Sequence, residues 1–191
     1  MRHLTTHIHA SLTSLEGRRF ERLAARAIVL RGEDILMLYT QRYDDYTLPG
    51  GGINAGENIE QGLIRELQEE TGATNITNLQ AFGCYEEFRP WYKDDADLMQ
   101  MKSYCFTCEI DAELGVTNYE DYEIKNGMKA VWINIYDAIA HNQHTLDNSD
   151  KKGMSLAREL FLLRLIAKEC LTELLPDLEP AALPSLGYFR R

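Results

Sequence analysis

The chain has 191 residues, 45% of them hydrophobic and 26% charged, which suits one soluble globular domain with a real core. Its net charge of −10 disfavours nucleic-acid polymers as partners. It does not disfavour a small anionic ligand whose phosphates meet the protein through divalent cations. No apolar run reaches the ~20 residues of a bilayer span, and the start, MRHLTTHIHASLTSLEG, lacks the apolar core of a signal peptide. A cytoplasmic protein with no membrane partner is the expectation.

In chain order, His7 and His9 come first, and two histidines alone are more often surface residues than metal ligands. Residues 22–31 and 34–40 read as strands around a turn at Gly32-Glu33. A glycine-dense loop, LPGGGINAGE, follows, and residues 58–71 read as a helix. Segments near 79–89, 102–110 and 130–135 read as strands, with a short helix from Tyr136. Cys105 and Cys108 form a C-x-x-C, but residues three apart on a strand point to opposite faces, and no second such pair completes a zinc site. They are expected to be structural cysteines.

From Ser155, the residues Leu156, Leu160, Leu163, Ile166 and Cys170 recur at helical spacing, and Phe161, Leu162 and Leu165 widen the apolar surface. Such a helix is either deeply packed or shared with a partner, which makes a homodimer one expectation. Pro176, Pro180 and Pro184 place irregular structure after Leu175. Strands flanking a helix, with another long helix at the end, indicate an α/β fold with a mixed sheet.

The chemistry concentrates in GGINAGENIEQGLIRELQEETGA. Asn58 stands as N-cap with Gln61 three residues on, and Gly72 stands where a left-handed residue ends a helix. At ~100° per residue, Glu70 falls about 40° and Glu69 about 300° from Glu66, so three carboxylates share one face. Like charges at that spacing destabilise an isolated helix, and a bound divalent cation reverses the sign. Arg65, one turn before Glu69, can neutralise and orient it; Glu57 precedes the helix. Gly62 leaves the carboxylate face bare, either for a bulky anion or for close packing of helix on loop.

Gly51, Glu57, Arg65, Glu66, Leu67, Glu69, Glu70, Gly72 and Ala73 match in register the pattern G-x₅-E-x₇-R-E-U-x-E-E-x-G-U, and the segment resembles the Nudix box. Ala73 is the soft match, where a larger aliphatic residue is commoner. The resemblance implies an α/β/α sandwich with a mixed sheet and a loop–helix–loop catalytic motif. It implies one domain over 1–191, with its core at about 22–175, an N-terminal arm and a proline-containing tail. It further implies Mg²⁺- or Mn²⁺-dependent hydrolysis of a diphosphate linkage in a nucleoside diphosphate derivative, such as a nucleoside triphosphate, ADP-ribose or a nucleotide sugar. By position, Glu66, Glu69 and Glu70 would ligate metal with the Gly50 carbonyl, and Arg65 and Glu57 would support them.

The general base is expected to be Glu66 or Glu69, or else a carboxylate outside the box among Glu120, Asp121 and Glu123. Residues 88–97 are the expected substrate selector. There Trp91 and Tyr92 could stack a base, while Arg89 and Lys93 could meet phosphate. The alternative is a catalytically silent module that senses a nucleotide or binds a partner; the intact glutamates argue against it.

Overall fold

A computed structural model of the chain describes residues 1–171. The expected irregular tail lies outside the described residues. Four strands, β1 (His3–Ile8), β2 (Arg19–Ile28), β6 (Thr77–Pro90) and β7 (Leu98–Glu109), form one sheet in the order β1-β6-β7-β2. β6 and β7 run antiparallel, whereas β1 on β6 and β2 on β7 run parallel, so the sheet is mixed. The second sheet is built on β4 (Asp34–Thr40). One edge of β4 pairs with β8 (Met128–Asn134), and the other pairs with β3 (Leu30–Arg31) and β5 (Asp45–Thr47).

Helix α1 (Ile59–Thr71) carries the capping box of Asn58 and Gln61 and stops at Gly72, whose φ of 69° is left-handed. Its Leu63 and Leu67 are fully buried with Ala25, Ala27 and Val29 of β2. A second core, holding Ile28, Ile35, Leu48 and Tyr85, packs against α3 (Ile135–Asn148) and α4 (Leu156–Ile166). Alternation along β2 therefore sends successive side chains to helices on opposite faces, giving the expected α/β/α layering. Among the described residues no helix is long and apolar enough to cross a membrane.

Several elements differ from the sequence expectation. The N-terminal arm contains a strand, β1, which pairs in parallel with β6 from Thr5↔Tyr85 to Ile8↔Phe88. Residues 88–90 extend β6 rather than open a loop. Residues 121–126 form a short helix, α2 (Asp121–Asn126), that ends at Gly127 with a φ of 67°.

Helix α4 resolves as deeply packed. Leu156, Leu160, Leu162, Leu163 and Ile166 are all 3% exposed or less, and a π-helical turn (Ala167–Leu171) continues it. Covering within one chain removes the reason for assigning that apolar surface to a second copy. Cys105 and Cys108 are buried free thiols, pushed up by burial to about 12 and about 11. Leu67→Ala removes a fully buried side chain between α1 and β2 and should cost about 3 kcal/mol in urea unfolding. A loss under about 1 kcal/mol would mean that α1 is not anchored there.

Candidate active site

On α1, Arg65 is the hub of the carboxylates. Its Nε donates to Glu57 Oε1 at 2.7 Å, and its Nη1 donates to Glu66 Oε1 at 2.8 Å and to Glu69 Oε2 at 3.0 Å. Nη2 reaches the Gly52 carbonyl at 3.0 Å and so ties the helix to the glycine loop. The hydrogen bonds from Arg65 pull Glu57 down to about 2, and Glu57 in turn raises the Arg65 guanidinium above its ordinary value. Gly62 resolves to packing: a Cβ there would meet Ile53 Cδ1 at 2.5 Å, so no room for an anion exists at that point.

The loop runs beside β2 as an extra strand, with Ala27 N donating to the Pro49 carbonyl at 2.8 Å and Ala25 N to the Gly51 carbonyl at 3.0 Å. Two glycines are required by this approach. Gly50 has φ 130°, and a Cβ on it would lie 2.1 Å from the Ala25 carbonyl oxygen. A Cβ on Gly51 would strike the Glu66 carboxylate at 2.5 Å. Gly50 N donates to Glu70 Oε2 at 2.6 Å. Glu70 is 6% exposed, and burial pushes it up to about 8 against the opposing effects of that hydrogen bond and of Arg26. The Gly50 carbonyl accepts from Arg26 Nη1, which leaves its second lone pair for another partner.

Of the three carboxylates outside the box, Glu120 and Asp121 are exposed, while Glu123 is 6% exposed. Tyr122 Oη donates to Glu123 Oε1 at 3.0 Å, and Glu120 N donates to Oε2 at 2.7 Å. Burial raises Glu123, and Glu66 adds to that; Glu66 and Glu123 together act the same way on Glu70. The turn into α2 therefore delivers Glu123 to the carboxylates of α1.

Glu123 also lines a cleft of about 250 Å³ between the two sheets. Arg22 and Arg26 of β2, Arg89 of β6 and Arg158 of α4 give it positive walls, and Asp45 of β5 faces them. Arg89 donates to Glu87 at 2.7 Å, Arg158 bridges Glu87 and Glu159, and Glu159 accepts from Leu48 N at 2.9 Å just ahead of the glycine loop. Asp45 is 2% exposed, and burial, then Glu159, push it up to about 7.

Of the four residues expected to select substrate, the structure brings Arg89 to the cleft and not the other three. Trp91 stacks on Phe20 at 4.1 Å, Tyr92 is 78% exposed, and Lys93 Nζ lies 5.6 Å from the Trp91 ring centre. Phe20 supplies the flat partner that the sequence reading reserved for a base. Arg22, Arg26, Asp45 and Arg158 were not singled out from sequence. Their signal was charge inside apolar stretches: Arg26 within LAARAIVL and the pair Arg158-Glu159 within the apolar repeat of α4.

The donor set suits a hard divalent cation. Glu66, Glu69, Glu70 and the Gly50 carbonyl offer only oxygen, and Arg65 engages one oxygen of Glu66 and one of Glu69, leaving the other of each. Among the described residues no group of three or more His, Cys, Asp or Glu side chains forms a ready-made cage for an ion. The buried carboxyl of Glu70 beside Glu66 and Glu123 is the feature a cation would relieve.

Asp45 carries a pH test. Its folded value of about 7 lies above the ordinary 3.8, so its ionisation costs stability as pH rises from about 4 through 7. Asp45→Asn should gain roughly 2–4 kcal/mol on wild type at pH 8 relative to pH 4, by urea unfolding. An equal difference at both pH values would contradict this.

The NUDIX domain family matches residues 21–156. A Caenorhabditis elegans protein carrying a nudix hydrolase name is 30% identical over 128 residues, covering 61% of this chain and 30% of that protein. The NAD-capped RNA hydrolase NudC of Pseudomonas aeruginosa is 35% identical over 69 residues, covering 34% of this chain and 24% of that protein. The chain thus spans less than a third of these two relatives. The nucleoside triphosphatase NudI of Salmonella newport is 29% identical over 112 residues, covering 53% of this chain and 73% of that protein. A NUDIX hydrolase structure from Nitrosomonas europaea shares the fold, with a TM-score of 0.54 at 16% identity over 78% of this chain and 91% of its own. With the family matched across the glycine loop, the carboxylate helix and both sheets, the chain belongs to the Nudix hydrolase family.

Proposed function

We propose that the chain hydrolyses a phosphoanhydride bond in a nucleoside diphosphate derivative, with Glu66, Glu69, Glu70 and the Gly50 carbonyl holding Mg²⁺ or Mn²⁺. The observation that carries this reading is a junction: the carboxylates of α1 meet Glu123 beside a cleft walled by Arg22, Arg26, Arg89 and Arg158. A phosphoanhydride resists attack because its anionic oxygens repel a nucleophile. A bound cation supplies charge neutralisation and a more acidic water. The chain's own residues do the rest. The cleft arginines bind and orient phosphate oxygens. Glu123, whose burial favours holding a proton, takes the proton of the attacking water. Glu66 and Glu69 keep their place through Arg65, and Glu57 fixes Arg65 in turn.

The relatives' names, a nucleoside triphosphatase and an NAD-capped RNA hydrolase, support a nucleotide with a phosphoanhydride as substrate class. The acidic chain favours a small nucleotide over a polymer.

A panel of nucleoside triphosphates, ADP-ribose and nucleotide sugars with Mg²⁺ and with Mn²⁺, reading phosphate and monophosphate products, tests the reading. The wild type should turn over at least one compound, EDTA should stop it, and Glu70→Gln should lower kcat/KM roughly 10²–10³-fold. Glu123→Gln should lower kcat by 10² or more, in the range of a lost general base at about 10²–10⁴, with little change in KM. Nucleotide bound and released unchanged by wild type and variants alike would assign a sensing role instead.

A further inference from the structure

Among the described residues, four buried side-chain atoms make no hydrogen bond: Arg26 Nε, Asp45 Oδ1, Arg89 Nη2 and Ser103 Oγ. Buried polar atoms are almost always paired, and leaving one unpaired costs about 1–3 kcal/mol. These four are not scattered. The register Arg22↔Met101, Ala24↔Ser103 and Arg26↔Cys105, continued by Arg89↔Met99 across β6 and β7, puts Arg26, Ser103 and Arg89 on one sheet face. Three of the four, Arg26, Asp45 and Arg89, line the cleft, with Asp45 reaching it from the other sheet. Arg89 Nη2 lies 2.7 Å from Glu87 Oε2 as an ion pair, yet without the alignment of a hydrogen bond.

The orphans are of opposite kinds. Two guanidinium groups ask for an acceptor, and one carboxylate oxygen asks for a donor. A phosphate would satisfy the arginines and be repelled by Asp45. A hydrocarbon would satisfy neither. A lactam edge, with its carbonyl beside a ring N–H, offers both in one plane. Met99, Met101 and Met128 supply soft apolar surface against which a flat ring can lie. A volume of about 250 Å³ suits a base rather than a whole dinucleotide.

Building on the nucleotide hydrolase reading, we infer that the inner part of this cleft is a nucleobase site, where Asp45 accepts the ring N–H of a lactam base of the guanine or uracil type and Arg26 or Arg89 donates to its carbonyl. Asp45 is then the specificity-determining residue. Arg26 also holds the Gly50 carbonyl through Nη1, so the base contact and the catalytic loop share one side chain.

The test is equilibrium binding of nucleoside monophosphates, which involves no turnover. GMP and UMP should bind wild type about tenfold or more tightly than AMP and CMP. Methylation at guanine N1 or uracil N3, which removes the donor, should erase that margin in the wild type without any mutation. Asp45→Asn should erase it too while leaving AMP affinity within about twofold, its folding checked by thermal unfolding. Equal affinity for all four bases, a preference for AMP or CMP, or a lactam preference that survives methylation or Asp45→Asn would overturn the inference. Hydrolysis without base selectivity would sink this inference alone, whereas Asp45-dependent selectivity without hydrolysis would sink only the reading it builds on.

Discussion

Negative charge crowded onto one face of a helix must be matched by donors or cations, and the site is organised around that constraint. Glu66, Glu69 and Glu70 share a face of α1 on which they repel one another. Arg65 answers two of them directly and reaches back to Glu57 and the Gly52 carbonyl. Glu70 turns from the solvent and is met by the Gly50 amide, with Arg26 acting on it from a distance. The glycine loop exists in its observed path because β2 holds it by backbone hydrogen bonds and because side chains at Gly50 and Gly51 would collide with Ala25 and Glu66. Loop, helix and strand are therefore one device for presenting oxygen atoms.

The same constraint appears in reverse in the cleft. Four arginines converge there, and two of them are neutralised from behind. Glu87 joins Arg89 to Arg158, and Glu159 joins Arg158 to the Leu48 amide. Charges so buried contribute little net stability, because desolvation offsets their attraction, but removing one partner strands the other. Their value lies in position: α4 reaches across the molecule to fix the chain two residues ahead of Gly50. The apolar repeat of α4 is the support for that reach, which is why it is packed inside the chain.

Much of this was legible in the sequence because the signals were local. Asn58, Gln61 and Gly72 are cap residues whose chemistry acts within a few positions, and the ends of α1 follow from them. The carboxylate face follows from 3.6-residue periodicity alone. What failed to show was nonlocal. Trp91 looked available for a ligand because nothing nearby in sequence covers it, yet Phe20, seventy-one residues earlier, does so. Glu123 looked like one of three solvated acids until the turn into α2 separated it from Glu120 and Asp121. His3–Ile8 lacked strand patterning because it pairs along one edge with β6 and is only half-buried. Arg26 and Asp45 needed the pairing of two sheets to meet, which no spacing along the chain encodes.

The central claim is that the α1 carboxylates hold a divalent cation. Titration of Mn²⁺ into the wild type, Glu66→Gln and Glu70→Gln, followed by the loss of the free-ion electron paramagnetic resonance signal, tests it without substrate or turnover. The account predicts saturable binding to the wild type and affinity roughly 10–100-fold weaker in each variant. Indistinguishable Mn²⁺ binding by all three proteins, or none by the wild type, would contradict it.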